Sequence, residues 1–393
     1  MQKHHILFFF LVMIMVAFTS CVTMGGSKNS TATPGLKTYQ VGDIMDWQKK
    51  QKISFKKLMD EITSAKVVYI GETHVSFEDH RIEREILAGL YDKHPSLILA
   101  MEMFPREVQP ILDKWIHGSI NDDAFLHEVQ WEKIWGYPFQ FYSPLLHFIR
   151  ERHLELIGLN APPEIVRKIS SKGFPSLSRE ERNRVAAKIN FANPKHREFI
   201  RKQYEEHPRD NIKNFEAFYA AQLTWEETMA ETLATQITSH PGSEKFIVII
   251  GKGHIEHGFG VPQRTWRRVK HTYKIVFPLS ITEVDKVDDK DIADYIWVTK
   301  KEAGFRHPHL LGIMVKPLSI QRGIKVSKVL PKSAAAEAGI EAGDIILTID
   351  TTPIKSIKDI HRAMLSVKRV HRLSIQRASE KITVTVTLPK EKP

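Results

Sequence analysis

Two apolar runs in this chain end alike: VVYI passes into Gly71-Glu72-Thr73-His74, and FIVII passes into Gly251-Lys252-Gly253-His254. Glycine after a buried strand permits a tight turn, and a histidine three residues on then faces the crevice beyond the strand end. A third run, LILAMEM, delivers Glu102 to the same edge. His74, Glu72, Glu102 and His254 therefore form a candidate set of imidazoles and carboxylates. Such donors hold a divalent metal, or act as acid and base near neutral pH. His80 and His257 lie nearby in sequence. The chain has 19 histidines, so chance neighbours are common. On spacing alone, structural turns and a working site weigh equally.

Groups at strand ends converge only if the strands run parallel, because ligands of open α/β sheets bind beyond the carboxyl edge. Short apolar runs at 67–70, 97–100, 154–159, 246–250 and 273–278 alternate with longer amphipathic segments, as buried parallel strands do. Residues 183–239 read as one long helical stretch containing Phe215, Phe218, Leu223, Met229 and Leu233, while Trp135 and Trp225 read as core. The pattern changes near 300–308. Beyond it, strands are expected at 311–315, 324–330, 344–349, 373–376 and 382–388. Ser333 and Gly339 bracket a short helix, and Ser356 with Asp359 opens a longer one. The expected fold is α/β, a mainly parallel sheet flanked by helices over 44–300, followed by a small β-rich domain over 309–390.

Charge and cysteine usage narrow the setting. The net charge is +11. Residues 309–393 carry 15 basic against 7 acidic residues, whereas 21–308 carry 41 against 39, so the basic character belongs to the C-terminal module. That charge attracts acidic peptides or anionic lipid; no nucleic-acid recognition motif accompanies it, and nucleic acid is not an expected partner. Cys21 is the single cysteine, which excludes an intrachain disulfide and a Cys-ligated zinc site. Lys3 and the apolar run 6–18 precede it, too short a run for the ~20 residues that span a bilayer but matched to a secretory leader. Residues 1–20 are thus expected to be a signal peptide and 21–43 a flexible tether.

Thr19-Ser20-Cys21 resembles a bacterial lipobox, which implies lipidation at Cys21. Phe18 stands where that motif prefers Leu, so a non-lipidated secretory leader is the alternative. Val22 after the cysteine suggests the outer membrane, facing the periplasm.

VVYIGETH, ILAMEMFPREVQPILDKWIHG, WEKIWGYPFQFYSPLLHFIRER, IGLNAPPEI, FEAFYAAQLTWEETMAE and VIIGKGHIEHGFGVPQR together resemble the ChaN-like haem-binding lipoproteins, over about residues 45–280. That family is similar in its two G-x-x-H turns to the wider Tiki and erythromycin-esterase superfamily. The resemblance implies haem as cofactor, a homodimer that sandwiches it, and a tyrosine ligand assisted by histidine. Carried onto this sequence, the ligand is Tyr204 and the assisting residue His196 or His207. The C-terminal block P-x-S-A-A-x-x-A-G-I-x-x-G-D-I-I-L-x-I-D resembles a bacterial PDZ domain. That implies capture of a partner's C-terminal peptide by Leu311, Gly312 and Ile313, with Val315 lining a groove opposite Ile360 and Met364. Three functions stay open: a haem-handling lipoprotein for iron uptake, a metal-dependent hydrolase using His74, Glu102 and His254, and a PDZ adaptor on an inert scaffold.

Overall fold

The computed structural model describes residues 39–206, 212–287, 289–302, 311–317, 323–331, 333–364 and 370–388. Two compact units result. The larger comprises the chain through His74 with Glu78–Gly136 and Pro144–Lys301; the smaller runs from Glu302 and includes Val75–Phe77 and Tyr137–Ser143.

The larger unit is built on an eight-stranded sheet. Its strands are β1 (Ile44–Asp46), β2 (Gln51–Ile53), β3 (Val67–Glu72), β4 (Leu97–Pro105), β5 (Glu155–Asn160), β6 (Lys245–Gly251), β7 (Tyr273–Ser280) and β8 (Tyr295–Thr299). The spatial order is β2-β1-β8-β7-β3-β6-β4-β5. From β8 to β5 every neighbouring pair is parallel, and β1 and β2 close the other edge antiparallel. The five expected strands are all present. β3, β4 and β6 are buried along nearly their whole length, which is why they read as continuous apolar runs rather than alternating ones.

Helices connect the strands. Before the long crossover they are α1 (Phe55–Ile62), α2 (Phe77–Lys93), α3 (Gln109–Ile116), α4 (Asp122–Glu128), α5 (Trp131–Ile134) and α6 (Ser143–Glu151). After β5 come α7 (Pro163–Lys172), α8 (Arg179–Asn183), α9 (Pro194–Glu206) and α10 (Phe215–Ser239), and α11 (Val261–Arg268) follows β6. The single helical stretch expected over 183–239 is instead two helices, α9 and α10, preceded by an irregular segment. Pro194 sets where α9 begins, since it fixes its own φ and disfavours helix at the residue before it. Asn214 then caps α10 by accepting from the Ala217 amide.

The core packs Val67, Tyr69, Phe246, Val248 and Ile250 of the sheet against Met229, Leu233 and Ile237 of α10. That accounts for the apolar face of α10 seen in the sequence.

The smaller unit holds β9 (Ile313–Pro317), β10 (Ile324–Val329), β11 (Ile345–Ile349), β12 (Thr352–Pro353), β13 (Val370–Arg377) and β14 (Glu380–Thr387), all antiparallel, in the order β14-β13-β11-β10-β9 with β12 on β11. Its helices are α12 (Ala334–Glu337) and α13 (Ile357–Met364). Ser333 caps α12 through the Ala336 amide, and Ser356 exchanges hydrogen bonds with Asp359 as its spacing predicts.

Candidate functional site: buried carboxylates and imidazoles at the strand ends

β3 and β6 are adjacent, parallel and in register, with Glu72 opposite Gly251. Both G-x-x-H turns therefore open at one edge. β4 borders β6 on its far side, and its ladder with β5 slips between Met101 and Pro105. Glu102 occupies that irregular stretch, where a bulge re-aims a side chain. Asn160 donates to the Glu102 carbonyl at 2.7 Å, and the Glu102 carboxylate accepts the Gly251 amide at 2.6 Å.

Two clusters form at this edge. In the first, His74 Nδ1 lies 2.5 Å from Glu72 Oε1, while His80 Nδ1 lies 3.3 Å from Glu72 Oε2 and 3.0 Å from Glu83 Oε2. Asp79 beside them accepts the Thr73 amide and the Lys252 ammonium, each at 2.8 Å. Burial, with the neighbouring Glu83 carboxyl, pushes Glu72 up to about 7 against the pull of His80 and His74. Burial also lifts Glu83 well above the usual carboxylate range.

The second cluster centres on His254. Its Nε2 lies 3.4 Å from Glu102 Oε1 and its Nδ1 3.4 Å from Glu226 Oε1 on α10, with the Gln222 amide 3.0 Å from Nδ1. Burial disfavours the imidazolium, yet Glu102 and Glu226 outweigh it and raise His254 to about 10. Burial likewise works against ionisation of Glu102, and His254 overcomes it to hold that carboxyl below its usual value. Arg264 anchors the far side, donating to Glu226 at 3.1 Å and Glu227 at 2.5 Å and approaching His196 Nδ1 at 2.9 Å. Burial opposes the Glu226 charge too, but His196, His254 and Arg264 hold it well below the usual range.

The four residues expected to face one edge do so. Among the described residues, the donors close enough to share one ion are a different set, Glu72, His80 and Glu83, whose ligand atoms all lie within 4.8 Å of one another. Glu226, Glu227, Arg264 and Glu83 escaped the sequence reading. For Glu226 and Glu227 the signal was charge inside an apolar helix, where they interrupt the core face of α10; Arg264 and Glu83 lie on polar helices that gave none, and all four are buried. Trp135 is buried as expected, but its ring meets His74 edge-on at 4.7 Å, and Trp225 lies 5.0 Å from His254. Both tryptophans wall the site.

Of the residues expected to serve haem, Tyr204 and His196 lie on α9. Tyr204 is half-buried, its ring 5.5 Å from Phe215 and 5.4 Å from Phe218. Arg201 covers the Phe215 ring at 3.9 Å and Arg197 at 4.9 Å. His196 corrects the expectation that it assists Tyr204. It is fully buried, held by Arg264 and Glu226, and stands eight residues, about 12 Å of helix rise, from the phenol. His207 and Cys21 lie outside the described residues.

In the smaller unit the expected groove needs two corrections. Ile360 and Met364 are core residues, packed with Leu311, Ile324, Leu373 and Val386, because the apolar stripe of α13 closes the sheet. Gly312 has φ +69°, and a Cβ there would stand 2.1 Å from that of Ser333, so a larger residue breaks the turn rather than testing a ligand loop. Ile313 and Val315 are half-buried on β9, the edge strand among the described residues.

A mainly parallel α/β domain with buried acid–imidazole clusters at its strand ends, followed by a small antiparallel β module, defines a two-domain class with a candidate site in the first domain. The chain belongs to the haem-binding uptake, Tiki superfamily, ChaN family, whose profile matches residues 58–265, and a PDZ domain profile matches 325–377. The structure of ChaN of Campylobacter jejuni with cofacially bound haem covers 65% of this chain and 95% of its own at 18% identity and a TM-score of 0.51, a likeness of fold. Among curated proteins, Protein RETICULATA-RELATED 5, chloroplastic, of Arabidopsis thaliana is 22% identical over 85% of this chain and 48% of its own. The periplasmic serine endoprotease DegP of Escherichia coli (strain K12) is 40% identical over 16% of this chain and 14% of its own. The chain thus spans about half the length of the first relative and a seventh of the second. Among the described residues no helix is long and apolar enough to cross a membrane.

Proposed function

We propose that this protein is an extracytoplasmic, lipid-anchored haem-handling protein serving iron uptake, whose PDZ module recruits a partner by its C-terminal peptide. The observation that carries the haem reading is Tyr204, a phenol set between Phe215 and Phe218 with Arg197 and Arg201 alongside. This donor set fits the group: a phenol for iron, aromatic surface for the macrocycle and guanidiniums for its carboxylates. Ferric haem bound there would supply a Lewis-acidic iron suited to an oxygen donor. Tyr204 would hold the iron, Phe215 and Phe218 would exclude water from the ring face, and a second copy of the chain would cover the other face. Titrating ferric haem into the mature chain tests it, with a saturable Soret change expected and its loss or shift in Tyr204→Phe.

The anchoring part rests on Lys3, the apolar run 6–18 and Cys21. On this reading the protein sits at a bacterial outer membrane facing the periplasm, and Cys21→Ser should release it into the soluble fraction. A signal-cleaved chain without a lipid mass at Cys21 would overturn it.

A second reading has its own observation: the buried carboxyls at the G-x-x-H edge are driven apart, Glu72 up to about 7 and Glu102 below its usual range. Neighbouring groups separated in this way suit acid and base roles. Ester or peptide hydrolysis that disappears in His74→Ala would favour a hydrolase.

A further inference from the structure

We propose that Glu72, His80 and Glu83 form a divalent-cation site of their own at the junction of β3 and α2, suited to a first-row ion such as Zn²⁺ or Mn²⁺. Glu72 ends β3, whereas His80 and Glu83 stand three residues apart on α2, the spacing that places two side chains on one helix face. His80 Nδ1 lies 3.3 Å from one carboxylate oxygen and 3.0 Å from the other. Donors about 2.1 Å from a common ion stand about 3.0–3.4 Å apart at right-angled to tetrahedral geometry, so these two separations need little adjustment.

The tautomer follows from the second ring nitrogen. His80 Nε2 is 3.3 Å from the His74 carbonyl oxygen, which only accepts, so Nε2 carries the proton. With a cation between the three groups, the Nδ1 lone pair would face it while the Nε2 proton rests on a backbone carbonyl, the second-shell arrangement that orients metal-bound histidines. Glu83 is 1% exposed, and its Oε1 has no hydrogen-bond partner among the described residues. Lys252, the nearby ammonium, is engaged by Asp79 at 2.8 Å and Thr73 at 3.1 Å. Acceptors that converge out of water require a cation between them, or protons on the carboxyls or the ring to separate them.

This site uses neither Tyr204 nor His254, so it stands apart from the haem reading and from the second turn. The test uses the full mature chain, stripped with chelator and then titrated with Zn²⁺ and with Mn²⁺ alone, followed by calorimetry, metal analysis after gel filtration and thermal melting. One equivalent should bind and raise the melting temperature. Glu83→Gln and, as a second variant, His80→Asn should each weaken binding at least ~10-fold, the scale on which even outer-shell changes act. Tyr204→Phe and His254→Gln should retain it. Absence of binding in the folded wild type would overturn the proposal and leave a proton as the occupant. Binding retained in both ligand variants, or lost only in His254→Gln, would overturn it by placing the ion elsewhere. Loss of haem binding with metal binding intact would count against the haem reading alone.

Discussion

Gly251 shows how tightly single residues define this edge. A Cβ at this position would stand 2.9 Å from His74 Cε1 and 3.3 Å from Glu102 Oε2, so the close approach of both turns requires a residue without a side chain. Gly251→Ala should therefore displace the His74 ring and destabilise the fold by about 1–3 kcal/mol, the range for overpacking, as read by chemical denaturation. His254 makes a second residue-scale prediction. Its folded value of about 10 exceeds its unfolded value near 6.5, so the stabilisation is fully present below pH ~6.5 and is lost as pH rises through about 10. Glu102 and Glu226 act in the opposite sense: held below their ordinary values, they stabilise above pH ~4.5 and lose that contribution as pH falls through their depressed values. Melting curves in chelator should fall away between pH 7 and 10, and that alkaline decline should flatten in Glu102→Gln.

At the scale of elements, α10 and α11 are joined by charge as well as by apolar packing. Arg264 on α11 holds Glu226 and Glu227 on α10, reaches His196 on α9, and donates to the Asn190 carbonyl at 3.3 Å. Removing one partner of a buried network strands the others, so Arg264→Ala should cost about 3–5 kcal/mol. Arg264→Lys should recover little, because one ammonium cannot replace the guanidinium fork. Urea denaturation of both variants checks this, and an Arg264→Ala protein of wild-type stability would count against the network.

Elements also set what could be read beforehand. Five of the six parallel strands, β3 to β7, were legible because burial leaves unbroken apolar runs, whereas β8 was not among those expected. β1 and β2 were not, since each has three residues and β2 carries Gln51 and Lys52. Glu226 and Glu227 were hidden for a related reason: a charged pair in a helix ordinarily marks the solvent face, and only tertiary contact with Arg264 shows that it is inside. His74 and His254 were visible because the turn pattern repeats, and Glu102 because it follows an apolar run bound for the same edge. The partnership of Glu72 with His80 and Glu83 was not, because it depends on the angle at which α2 leaves β3.

The whole molecule combines two separately cored units, and each supports its own prediction. In the PDZ module β9 is the edge strand among the described residues, with Ile313 and Val315 half-buried on it, while the core positions of Ile360 and Met364 leave selectivity to other side chains. A peptide with a free C-terminal carboxylate should bind about 10-fold or more tighter than its amide, since hydrogen bonds to a charged group contribute about 1.5–3 kcal/mol. Equal affinities by fluorescence anisotropy would make the module a spacer. For the α/β domain the central claim is that haem is held through Tyr204, and the most direct measurement is a ferric haem titration of the mature wild-type chain beside Tyr204→Phe, followed by visible absorbance. The account predicts saturable binding with a tyrosinate-type spectrum in the wild type, and a shifted spectrum with weakened affinity in the variant. An identical spectrum and affinity in both proteins would contradict it.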